Sequence, residues 1–171
     1  MKTKAFLHIE PRRRHLYEEG PHFGDKVALQ FPGLTYNINE AAKCLALGRW
    51  TASAYHSLLC LEGALRGLTR CLGIPDPTTG ADRNWSAVGR SVGAEMKRRW
   101  PTAADRATAE FTAFDRIFGA LQALQNPYRN ETMHLSAQYG EEEAAHIFEM
   151  VKGLLQRAAD KCDEMGNPKL P

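Results

Sequence analysis

The residues with the clearest chemical promise are the run Arg129-Asn130-Glu131-Thr132-Met133-His134. On an α-helix Asn130 and His134 are four residues apart and share a face, and the long side chain of Arg129 reaches the same space. A guanidinium offers a planar fork of donors that matches a phosphate, and an imidazole titrates near neutral pH, so it can take or give a proton. That combination suits phosphodiester cleavage. Breaking RNA internally needs removal of the 2′-hydroxyl proton, stabilisation of an anionic phosphorus centre and protonation of the leaving oxygen, and none of these steps demands a metal or cofactor. The competing reading is structural: Arg129 caps a helix or pairs with an acid, and His134 is a hydrogen-bonded interhelical residue.

Glu62 is the other residue of interest. It borders the apolar stripe formed by Leu58, Leu65 and Leu72, where it can support Arg129 or His134 across a bundle. Its other reading, a surface pair with Arg66 at four residues' spacing, is the favoured one. His56 falls roughly opposite the stripe and is expected in solvent.

Other motifs carry less. Gly89-Arg90-Ser91-Val92-Gly93 has the pattern of a hydrolase nucleophile elbow, but that chemistry needs a strand-turn-helix in an α/β sheet. There is no Gly-rich phosphate loop, His-Glu-x-x-His or Cys-x-x-Cys, so nucleotide hydrolysis and zinc catalysis lose their usual sequence support. The sequons at Asn84 and Asn130 are uninformative, and Trp50, Trp85 and Trp100 read as packing residues. Cys44, Cys60, Cys71 and Cys162 lie far apart in sequence and read as reduced, mostly buried thiols. His8, His15 and His22 recur every seven residues in a Pro-broken segment, which gives them no common face, so they are expected to be solvated.

The elements that must position the Arg129–His134 run are helical. An irregular N-terminal arm over residues 1–38, broken by Pro11, Pro21 and Pro32, is expected to pack on a bundle spanning 39–165. A short helix follows a cap at Asn39 and stops near Gly48. A longer one, capped by Thr51, repeats Ala54, Leu58, Leu61, Leu65, Leu68 and Leu72 before Gly73 and Pro75 stop it. Trp85, Val88, Val92 and Met96 form a weaker stripe ended by Pro101. Thr102 caps a helix carrying Ala104, Ala107, Phe111, Phe114, Phe118 and Leu121, which must bend or end near Pro127. Glu141-Glu142-Glu143 open a final helix whose apolar face runs from Ala144 through Ile147, Val151 and Leu155 to Ala158. Four long helices, a short one and no alternating strand predict an all-α, up-and-down bundle.

The totals narrow the function classes. A chain of 171 residues with 43% apolar and 25% charged residues suits one globular domain. Its formal charge of +2 is far from that of a nucleic-acid coat, so any RNA contact must be local. No apolar stretch approaches the roughly 18 residues that span a bilayer, and a cytoplasmic protein without a membrane partner is expected.

The chain resembles the HEPN superfamily, whose active members carry an Arg, four to six intervening residues and a His, often with Asn directly after the Arg. Arg129, Asn130 and His134 fit that pattern. The resemblance runs from Phe23-Gly24-Asp25 and Phe31-Pro32 through Glu40–Ala52 to Glu62-Gly63-Ala64-Leu65-Arg66, and resumes at Tyr128 through Ile147. It implies a helical bundle that dimerises so that Arg and His of two protomers face one cleft. The implied activity is metal-independent endoribonuclease action in a toxin–antitoxin pair or in phage defence, with a cognate antitoxin or inhibitor protein as partner. Some relatives are instead inactive modules that bind RNA or a protein. A homodimer is expected on chemical grounds as well, because one Arg and one His are sparse equipment for acid, base and phosphate clamp, and a two-fold axis supplies two of each.

Overall fold

A computed structural model describes residues 8–18, 20–75, 85–124 and 138–168, with side chains from residue 87 onward in the third stretch. The long helices follow the apolar periodicity closely. Ala54, Leu58, Leu61, Leu65, Leu68 and Leu72 are all buried, along one face of the helix Trp50–Cys71 and its C-cap. Glycine stands on either side of this helix. Gly48 and Gly73 adopt φ of +68° and +70°, and each follows a helix whose last carbonyls receive the paired reverse hydrogen bonds Arg49 N–H to Cys44 O (2.8 Å) and Ile74 N–H to Thr69 O (2.9 Å). Only glycine reaches this left-handed cap without a Cβ clash.

In chain order the helices are α1 (Arg14–Tyr17), α2 (Asp25–Gln30), α3 (Thr35–Ala46), α4 (Trp50–Cys71), α5 (Trp85–Arg99), α6 (Ala103–Arg106), α7 (Ala109–Leu124) and α8 (Glu141–Ala159), with 3₁₀ turns at Pro11–Arg13 and Pro32–Leu34. Among the described residues there is no strand, only an isolated bridge between Cys162 and Pro168. The architecture is an all-α bundle. α4 is its centre, packed against α3 on one side and α8 on the other, while α7 lies on α8. On α8, Ala144, Ile147, Phe148, Val151, Leu154, Leu155 and Ala158 face inward. No described helix is long and apolar enough to cross a membrane.

Three boundaries differ from the sequence reading. α3 begins at Thr35 and not after Asn39, because the 3₁₀ turn Pro32–Leu34 feeds straight into it and sets its first turn. α4 begins at Trp50, and Thr51 spends its hydroxyl elsewhere. The helix expected from Thr102 to Leu121 is two helices. Thr102 does cap the first, in a reciprocal capping box with Asp105, but Thr108 intervenes. Its hydroxyl donates to Asp105 O (2.7 Å) and accepts from the Phe111 amide (3.3 Å), which starts α7 afresh. Ala104 and Ala107 are therefore exposed and the buried stripe begins at Phe114.

From Phe23 to Leu34 the chain is helical and buried, unlike an irregular arm. Phe23, Val27, Phe31 and Leu34 all enter the core. The Phe23 ring meets Phe148 edge-on at 5.0 Å, and Gln156 Nε2 donates to Phe23 O at 3.2 Å. His22, expected in solvent, is half-buried. Burial lowers its pKa, with His15, Lys43 and Lys152 adding repulsion and a hydrogen bond to the Glu18 carbonyl opposing. A histidine held neutral in the fold binds fewer protons than in the unfolded chain, whose imidazole titrates near about 6.5. Stability from this site is thus full above that pH and is lost as pH falls toward the depressed folded value. Melting temperature against pH should show an acid-side slope that His22→Gln reduces; an unchanged slope would remove His22 as its cause.

Candidate functional site

Arg129, Asn130 and His134 lie outside the described residues. The structure does define the chain on either side of them. Before them, α7 ends with Leu121 and Leu124 buried. After them, Tyr139 is buried, and its amide donates to Thr51 Oγ1 of α4 at 3.0 Å. Gly140 then caps α8 with extended backbone (φ −81°, ψ 177°). Residues 125–137 thus connect two ends fixed in the core, one on α7 and one at the junction of α4 and α8.

That junction is electrostatically organised. The three acids Glu141, Glu142 and Glu143 sit in the first turn of α8, where they complement the positive end of its dipole. Arg13 reaches from the N-terminal segment to pair with Glu141, with Arg12 3.6 Å from the same carboxylate. The Arg13 guanidinium also lies over the Trp50 ring, 4.8 Å from its centroid. Cation–π and ionic contact together dock the N-terminal segment on the start of α4 and the start of α8.

Glu62, the other candidate, lies half-buried on α4 and is engaged with a neighbour, so it is no free carboxylate. His56, expected in solvent, is partly buried. Its Nδ1 lies 3.1 Å from Asn37 Oδ1, and its ring meets Tyr36 and Tyr55 edge-on at 6.3 and 5.7 Å. Ser91 is an exposed residue within α5, so the Gly89–Gly93 pattern lacks the strand and turn a nucleophile elbow requires. Trp100 packs against Phe111 and Phe114 at 5.6 and 5.8 Å, as a packing residue should. Among the described residues no three His, Cys, Asp or Glu side chains gather as a metal centre would need.

Among the described residues a cleft lies elsewhere, between α5, α7 and α4. It holds about 270 Å³ and is lined by Leu65, Val92, Met96 and Phe118 together with the polar Asp115 and Gln122. Gly93 lines it, and a Cβ built there meets no described atom within 4 Å. Glycine in a helix interior costs roughly 0.5–1 kcal/mol relative to alanine. Gly93→Ala should therefore raise stability by about that amount, measured by denaturant midpoint. A loss of stability instead would mean that the cleft closes in solution.

Sequence reasoning missed two things here: the Thr51 hydroxyl that anchors Tyr139, and the docking of Arg13 on Trp50. Both join residues far apart in the chain, and neither has a local signal. Compared with protein-family models, with curated proteins and with solved structures, the chain has no match.

Proposed function

We propose that this protein is a metal-independent endoribonuclease of the HEPN type, acting as a homodimer in a toxin–antitoxin or phage-defence role. Arg129 holds the scissile phosphate, His134 serves as general acid or base, and Asn130 orients one of them. RNA is the substrate, and a cognate inhibitor protein is the expected partner. The observation that carries this reading is the pairing of the Arg-Asn-x₃-His pattern with an all-α bundle whose α7 and α8 flank it. In support, Leu124 before the pattern and Tyr139 after it are both buried, and reacting groups are placed best from rigid elements.

Incubating the purified protein with structured and unstructured RNA, with and without chelator, tests it. Cleavage that persists in chelator is expected. Cleavage that vanishes would overturn the metal-free mechanism, and no cleavage of any RNA would favour a non-catalytic module that binds RNA or a protein. Light scattering should return a dimer, and a clean monomer would count against a site shared between protomers.

A further inference from the structure

Cys71 and Cys162 are remote in sequence and adjacent in space. Cys71 is the last residue of α4 and half-buried; Cys162 follows α8 and is fully buried. The turn that carries Cys162 packs onto the end of α4 at Arg70 and Cys71, and each thiol shifts the ionisation of the other.

The backbone holds them there. Residues 162–168 form a tight turn in which the Asp163 carboxylate accepts from the amides of Met165 and Asn167, each at 2.9 Å. That turn is pinned to α4: Arg70 Nη1 donates to Glu164 O at 3.0 Å. It is pinned also to the N-terminal segment, where the Glu164 amide donates to Gln30 O at 2.9 Å. Two glycines permit the approach. A Cβ on Gly67 would lie 2.8 Å from Asp163 O, and one on Gly166, which has φ +84°, would lie 2.8 Å from Cys71 N.

We propose that Cys71 and Cys162 are a peroxide-responsive dithiol, in which Cys71 is the attacking sulfur and Cys162 the resolving one, joined on oxidation into an intramolecular disulfide. The Cys71 thiolate attacks a hydroperoxide, taking one oxygen to become a sulfenic acid while the O–O bond is reduced and hydroxide or alkoxide leaves. The Cys162 sulfur then attacks the Cys71 sulfur; the S–O bond breaks, the oxygen leaves as water with the Cys162 proton, and the S–S bond forms.

The surroundings suit these roles. The Cys162 thiol, as donor, brings Cys71 down to about 7, against burial that raises it, and the Arg99 guanidinium lowers it further. Arg99 also donates to Leu72 O at 2.7 Å, placing a positive charge at the helix C-terminus, where exposed carbonyls would otherwise repel an anion. Cys162 is held protonated by its bond to Cys71 and by burial. The other two cysteines are internal controls: burial pushes Cys60 up to about 12, and Cys44 is raised by burial and Glu40.

The test treats the reduced full-length protein with a small excess of hydrogen peroxide, then blocks free thiols with maleimide for non-reducing peptide mapping. The expected result is loss of two of the four thiols, a linked Cys71–Cys162 peptide, and a melting temperature that rises and returns with dithiothreitol. Alkylation of Cys71 in the untreated protein should run roughly tenfold faster than that of Cys44 near neutral pH. In Cys162→Ala the bridge cannot form, and Cys71 sulfenic acid should be trapped by dimedone; Cys71→Ser should lose both products. First reaction at Cys44 or Cys60, disulfides between chains, or an oxidised Cys71 without the bridge in the wild-type protein would each overturn the proposal.

Discussion

Replacing His134 by alanine is expected to lower RNA cleavage by about a hundredfold to ten-thousandfold, the usual contribution of a general acid or base, with the melting temperature nearly unchanged. A side chain kept for proton transfer and reachable by substrate alters stability by no more than about 0.5 kcal/mol when truncated. The structural reading of the same residue makes the opposite forecast. An interhelical histidine that satisfies a buried partner would cost roughly 1–3 kcal/mol on removal, and activity would fall only with the folded fraction. Arg129→Lys refines the comparison, because lysine keeps the charge and loses the planar fork that grips a phosphate through two bonds. Cleavage and melting temperature measured on the same preparations separate the readings, and a destabilised but active His134→Ala would overturn the site assignment.

The largest stability effect is expected at Phe23→Ala, which should cost about 3–5 kcal/mol, the range for deleting a buried phenyl ring. Phe23 is 1% exposed and its ring lies against Phe148 in the middle of α8. Val27 and Phe31, on the same segment, are sealed at 0%, so the cavity left by Phe23 has rigid walls and collapses poorly. Leu29→Ala, on the adjoining α2, is the control. Leu29 is 75% exposed, and its truncation should change stability by no more than about 0.5 kcal/mol. Urea unfolding of both variants decides whether residues 20–34 belong to the core; a Phe23→Ala indistinguishable from Leu29→Ala would return them to the status of an arm.

The long helices were legible because each carries enough turns for periodicity to speak. On α4 six stripe residues recur at three and four, and all six are buried. The shorter pieces were not. α2 has six residues and α1 four, too few for a 3.6-residue period to be distinguished from alternation. Two of the three prolines that interrupt the period of the N-terminal segment begin helical turns: Pro11 and Pro32 each stand at the first position of a 3₁₀ turn, where a missing amide costs nothing. Thr108 hid in the same way, since a threonine reads as an ordinary helix residue until its hydroxyl is seen to restart the backbone ladder.

Residue spacing alone carries the helical class, the faces of α4, α5 and α8 and the glycine stops at Gly48 and Gly73, and it singles out Arg129, Asn130 and His134 as candidates. These are local properties, set by spacing along a few turns and by the φ values glycine allows. It took the packed helices to bring Phe23 into the core, the Tyr139 amide to Thr51, Arg13 between Trp50 and Glu141, and the turn carrying Cys162 onto the end of α4. Each of these joins residues separated by many turns, and such contacts depend on how whole helices pack, which no single stretch of sequence encodes.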